Sequence, residues 1–168
     1  MQRKLCLLLA LIFVAGLSAR AQGLADKIEL SAGYNYMRFE ATPSVNLNGV
    51  DVSGLYKLSD WLGVDVDVSG DYGHVGGVSS RVYTYLFGPQ VSWPRRVSPF
   101  AHLLGGGAHF DGGGFASRSF AYAIGAGVDT RINPRFSWRI FQVDALPTHL
   151  GSIDQHNIRF STGIVIRF

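Results

Sequence analysis

The stretch LGVDVDVSGDY sets Leu62, Val64, Val66, Val68 and Tyr72 on one parity and Gly63, Asp65, Asp67, Ser69 and Asp71 on the other. Side chains alternate across a strand, so this run predicts a β-strand with one apolar and one acidic face. The pattern recurs along the chain. IELSAGYNYMRF opposes Ile28, Leu30, Ala32, Tyr34 and Tyr36 to Glu29, Ser31, Gly33 and Asn35, and GVDVSGLYKL opposes Val50, Val52, Tyr56 and Leu58 to Asp51, Ser53, Leu55 and Lys57. RVYTYLFGPQVSW, PFAHLLGGGAHF, SFAYAIGAGVDTRI and RFSWRIFQVDAL follow, rich in the aromatic and β-branched residues that suit a pleated surface. In the last of these the polarity changes phase between Arg139 and Gln142, a shift that a β-bulge would explain. The closing run, NIRFSTGIVIRF, puts Ile158, Phe160, Thr162, Ile164, Ile166 and Phe168 on one parity, and only Val165 breaks the other. Eight strands and no helical period predict an all-β domain.

The connections alternate in length. LSD, WPRRVSP and INPR read as tight turns, whereas ATPSVNLN, 70–80, DGGGFASR and PTHLGSIDQH read as longer exposed loops. Long loops at one end and short turns at the other are the pattern of an antiparallel up-and-down barrel with both termini at the short-turn end.

The N-terminus supplies a context. Arg3 and Lys4 precede an uncharged apolar run, 5–17, and then Ala19-Arg20-Ala21. This is the layout of a cleavable secretory signal peptide, expected to span 1–21 and to leave a single barrel domain over 22–168. The apolar run is too short to span a bilayer, which takes about 20 residues. Arg3, Lys4 and Arg20 leave with the signal, so the fifteen basic residues fall to twelve and match the twelve acidic ones. The basic excess therefore belongs to the export signal and predicts no nucleic-acid partner. Cys6, the sole cysteine, leaves as well. A secreted chain without cysteine is no disulfide scaffold and offers no thiolate metal site.

Alternation fits a soluble barrel and a membrane barrel equally, so the character of the polar face decides. That face is small and sparsely charged: Gly33, Gly63, Ala121, Ala123, Gly125, Gly127 and Gly163 recur among acids and arginines. Small residues with scattered charges suit the narrow inside of an eight-stranded barrel. Aromatics near the strand ends, among them Tyr34, Tyr36, Tyr56, Trp61, Tyr72, Tyr83, Trp93, Phe100, Phe110, Phe120, Trp138 and Phe168, match the girdles of membrane barrels. The expected fold class is thus an eight-stranded transmembrane β-barrel, apolar outside and polar within. Glu29, Asp51, Asp65, Asp67 and Asp129 are then expected to face Lys57, Arg131, Arg139, Arg159 and Arg167 across the interior. Buried charges must pair, so an ion-pair network should fill the lumen and leave no wide pore.

YTYLFGPQVSW, SPFAHLLGGGAHF, FAYAIGAGVDTRI, WRIFQVDAL and the terminal IRFSTGIVIRF resemble the OmpA/OmpX-like eight-stranded outer-membrane barrels of Gram-negative bacteria, over essentially the whole mature chain. The resemblance implies an outer-membrane location among lipid and lipopolysaccharide. It also implies a C-terminal signal read by the barrel-assembly machinery, carried by Phe160, Thr162, Ile164, Ile166 and Phe168. OmpA continues into a soluble peptidoglycan-binding domain, and that function is not among those the resemblance implies.

Catalytic and metal chemistry find little footing. His74, His102, His109, His149 and His156 lack zinc-ligand spacing; His102 falls on the fifth strand, and the other four, in or beside the long loops, are expected to be solvated. His149, Ser152 and Asp154 could seed an esterase, but in a polar loop they show no nucleophile–base arrangement. The glycine runs do not open a helix and carry no phosphate-binding signature. No catalytic, metal or cofactor site is expected. The reading is a structural and surface-interaction barrel of the envelope with no assignable surface ligand. Its rivals are a lipid A-modifying enzyme and a soluble secreted barrel carrying a hydrophobic ligand.

Overall fold

The computed structural model describes residues 27–39, 45–75, 78–112, 115–150 and 153–168; the predicted signal peptide lies outside them. Eight strands follow in chain order: β1 (Ile28–Phe39), β2 (Val45–Lys57), β3 (Leu62–Val75), β4 (Val78–Ser92), β5 (Val97–Gly112), β6 (Phe115–Arg131), β7 (Phe136–Leu150) and β8 (Ile153–Arg167). Each pairs antiparallel with the next, and β8 returns to β1 with Glu29 opposite Arg167 and Tyr36 opposite Phe160, closing the barrel. Closure satisfies the backbone groups of both edges, which hydrocarbon could not. At this seam Gly33 lies opposite Gly163, and a Cβ on Gly33 would come within 2.6 Å of the Thr162 carbonyl oxygen. Glycine lets the first and last strands approach.

The turn end is built by local side-chain capping. Ser59 Oγ accepts from the Leu62 amide at 3.1 Å between β2 and β3, and Ser98 Oγ donates to the Arg95 carbonyl at 2.7 Å between β4 and β5. Between β6 and β7, Asn133 Oδ1 accepts from the amides of Arg135 and Phe136 at 2.9 and 2.8 Å, as an Asx turn before Pro134 should. The opposite, hairpin end corrects an expectation. Most of 70–80, 111–118 and 147–156 is paired strand rather than loop, with Val75 opposite Val78 and Gly112 opposite Phe115. Outside an apolar environment both strand faces can carry polar residues, so loss of alternation did not mean loss of pairing.

The phase change in β7 is a bulge. Arg139 pairs with Gly163 and Gln142 with Ser161, so three steps on β7 match two on β8, and the register with β6 shifts between Val128 and Asp129. Ile140 and Phe141 both face outward, and the inward parity passes from Ser137 and Arg139 to Gln142, Asp144 and Leu146.

The faces are inverted relative to a soluble barrel. Phe87 and Ile124 are 65% and 57% exposed on the outside, whereas Arg159 and Asp144 are fully buried inside. Tyr34, Tyr36, Tyr56, Trp61, Tyr72, Tyr83, Trp93, Phe120, Trp138 and Phe168 are exposed as a girdle requires. Phe100 and Phe110 depart from it: their parity turns them inward, Phe100 to 3% exposure and Phe110 against the lumen's apolar cluster.

Candidate functional site

Among the described residues, polar and charged side chains are concentrated in the lumen. Alternation turns every second residue inward, and the charged ones on β1, β2, β3, β6, β7 and β8 are brought together by the narrow bore. At the turn-end mouth, Glu29 Oε1 accepts from Lys57 Nζ at 2.5 Å and from Arg167 Nε at 2.6 Å, and Arg167 also bonds Ser137 Oγ. Further in, Arg139 holds Asp129 with two parallel bonds, Nε to Oδ1 at 3.0 Å and Nη2 to Oδ2 at 3.3 Å. Its guanidinium carbon lies 4.4 Å from the ring centroid of Phe100, which explains the inward aromatic: a cation is placed over a π face away from water.

From there a continuous hydrogen-bonded chain crosses the barrel. Arg139 Nη1 donates to Gln142 Oε1 at 2.8 Å, and Gln142 Nε2 donates to Asp144 Oδ2 at 2.9 Å. Asp144 is the hub. Its Oδ2 also accepts from Arg159 Nε at 2.9 Å, and its Oδ1 lies 2.8 Å from His102 Nε2. Arg159 Nη1 then reaches Asp67 Oδ1 at 2.9 Å on the far wall. Taking a guanidinium wholly out of water costs several kcal/mol. Two carboxylates at hydrogen-bonding distance offset that cost. Gly125 makes the room: a Cβ there would collide with Asp144 Oδ1 and stand 2.5 Å from His102 Nε2.

Of the residues that the sequence places in the lumen, the structure brings Glu29, Lys57 and Arg167 together, Asp129 with Arg139, and Arg159 with Asp67. Asp65 is buried with its Oδ2 3.8 Å from His102 Nδ1, and Asp51 is buried with an Oδ1 that makes no hydrogen bond. Arg131 does not enter the network. It is the last residue of β6, exposed at the turn-end mouth, where it lines one cavity with Glu29, Lys57, Asp129 and Arg167 without joining their ion pairs. Asp144, Gln142 and His102 are the members that sequence reasoning missed. The β7 bulge hides the first two, because their parity is inward only after Ile140 and Phe141 are both turned out. His102 lies on the fifth strand as expected, and its shared inward parity with Phe100 and Leu104 was the signal that it would be buried. The side chains of His74, His149 and His156, and Ser152 altogether, lie outside the described residues.

The lumen is also not polar throughout. Toward the hairpin end Met37, Leu47, Val82, Leu86, Leu104 and Leu146 form a buried apolar layer with Ala108, Ala121 and Ala123. A charged layer below and an aliphatic layer above fill the bore with side chains, as eight strands permit. Among the described residues, no group of three or more His, Cys, Asp or Glu side chains is disposed to hold a metal ion.

This architecture has solved counterparts. Neisserial surface protein A superposes with a TM-score of 0.68 at 16% identity, over 84% of this chain and 97% of the other. The chain has the fold of the eight-stranded outer-membrane barrels. The same fold is shared with Ail, the attachment invasion locus protein of Yersinia pestis (TM-score 0.56, 20% identity, 84% and 97% covered). It is shared too with the N-terminal β-barrel domain of Pseudomonas aeruginosa OprF (TM-score 0.51, 15% identity, 85% and 98% covered). No protein-family model and no curated protein matches the sequence. At these identities the outer-membrane barrel fold is what is shared. The Asp144–Arg159–Asp67 bridge is described from this chain alone.

Proposed function

We propose that this protein is exported to the outer membrane and resides there as an integral barrel. Its part is structural: it contributes to the envelope, offers its hairpin end for surface contacts, and keeps its lumen sealed. The observation that supports this most is the inversion of the faces. A barrel in water would not turn Phe87, Phe120 and Ile124 outward while burying Asp67, Asp144 and Arg159; contiguous apolar exteriors of that extent mark membrane contact. Lipopolysaccharide is the expected neighbour at the hairpin end, where outward Arg81 lies opposite Tyr72 in the strand register and two residues before outward Tyr83. The protein is read as having no enzymatic activity: His102 sits between carboxylates, the surroundings of a structural imidazole rather than of a base activating a hydroxyl.

Fractionation of a Gram-negative host expressing the chain tests this reading. The protein should be recovered with the outer membrane, require detergent for release, and migrate differently on gels before and after boiling. Removing Phe168, which is exposed at the turn end as a recognition element must be, should lower the inserted fraction while leaving the urea resistance of already inserted barrels nearly unchanged. Recovery in the soluble periplasm without detergent would overturn the location. Undiminished insertion of the truncated chain would overturn the role of Phe168 as an assembly signal.

A further inference from the structure

The mature chain is formally neutral, yet its charge is sorted radially. Among the side chains that the structure describes, which do not include that of Asp154, every carboxylate is buried except Asp60 and Asp111, whereas most arginines are exposed. A membrane around this barrel therefore meets a cation whose counter-charge is locked in the lumen. The sorting is steepest at the turn end, where Lys27, Arg95, Arg96, Arg131 and Arg135 are exposed and Asp60 is the one exposed acid among the described residues.

Two of these cations share a built feature. Arg96, in the turn between β4 and β5, and Arg131, at the end of β6, line a cleft of about 400 Å³ whose other wall is Ile132, Asn133 and Pro134. The Arg131 amide donates to the Arg96 carbonyl at 2.9 Å, so the backbones that carry the two guanidiniums are tied together. Neither makes an ion pair among the described residues. The cleft also lies at a defined depth. Ile132 is exposed and closes its turn onto Phe136, and exposed Trp138 follows two residues further along β7. Apolar exterior thus gives way to cations within a few residues, which is the level of lipid headgroups.

We propose that this cleft binds the headgroup of an anionic phospholipid of the phosphatidylglycerol class. Arg96 and Arg131 clamp the phosphate, and Ile132 meets the upper acyl chain. Guanidinium groups match phosphate oxygens with paired donors, and two of them that sit on tied backbones and form no ion pair have their charge available for a ligand. This inference rests on the membrane reading above and names the lipid that the turn end selects.

Native mass spectrometry of the detergent-purified barrel, mixed with equal amounts of dioleoylphosphatidylglycerol and dioleoylphosphatidylcholine, tests it. The wild type should retain the anionic lipid preferentially. A basic side chain near the surface contributes on the order of fivefold to that preference, so R96Q/R131Q should lose about 25-fold. R96K/R131K should recover most of it, and R38Q/R118Q, which removes the same charge at the hairpin end, should leave it unchanged. Boiling-dependent gel mobility checks that each variant is folded. A wild-type preference retained in R96Q/R131Q would overturn the cleft. Equal loss in R38Q/R118Q would overturn it too, by assigning selection to overall charge. A chain that never enters membranes fails the fractionation above, whereas one that inserts without discriminating between the two lipids fails only here.

Discussion

Arg159→Ala is expected to destabilise the folded barrel by about 3–5 kcal/mol, the range for removing one partner of a buried ion pair. Arg159 is fully buried and spans the lumen from Asp144 Oδ2 to Asp67 Oδ1, each at 2.9 Å. Without it two carboxylates remain in the bore with no cation between them. Asp144 keeps His102 and Gln142, but Asp67 loses its guanidinium partner. Urea titration of the protein folded into lipid vesicles reads the loss as a lowered midpoint. Two companion variants assign its cause. Asp67→Asn in the Arg159→Ala background should return part of the stability, because the stranded charge is gone. Lys57→Ala at the mouth should cost no more than about 1 kcal/mol, since the pair it forms with Glu29 is partly exposed to water. If Arg159→Ala cost as little as Lys57→Ala, the centre of the lumen would be hydrated and the plug absent.

Ile124→Arg probes the other face. Ile124 is outward, opposite Leu103 near the middle of β6, and 57% exposed. In a bilayer an arginine there should destabilise by about 2–4 kcal/mol, and the same change at Val97, on the turn-end rim, by about 0–1 kcal/mol. On a soluble barrel both sites would be ordinary surface, with effects within about 0.5 kcal/mol. A depth-dependent difference between the two variants identifies lipid as the solvent of this face, and equal small effects would remove that identification.

How much of this was legible in the residues follows from which signals are local. Period-two alternation is local, and it correctly assigned the faces of β1, β2, β3, β6 and β8, including the inward Asp67 and Arg159 and the outward Ile164. The pairing of β8 with β1 could be argued from the intolerance of hydrocarbon for free edges. Partnerships were not legible. Asp67 and Arg159 are 92 residues apart, and nothing in the sequence says which of several acids the arginine will choose. The bulge at Ile140 and Phe141 hid Asp144, the hub of the network, because a single inserted residue inverts parity for the rest of the strand. Position along a strand matters as much as parity. Arg131 has the inward parity of Asp129 but sits at the exposed mouth without an ion pair, and the layer around Leu86 and Leu104 has the same parity as the charges yet is mostly aliphatic, with buried Asp71 opposite Val82 at its edge. The hairpin ends were read as loops because alternation stops being required where both faces meet polar surroundings.

A barrel plugged by its own side chains conducts no ions, and recordings across a planar bilayer read this property. With the charged layer bridged by Arg159 and the aliphatic layer of Met37, Leu47, Leu86 and Leu104 stacked beyond it, the inserted protein should stay electrically silent in symmetric salt at both polarities. Regular stepwise openings from the wild-type protein, abolished when the barrel is boiled before addition, would contradict it.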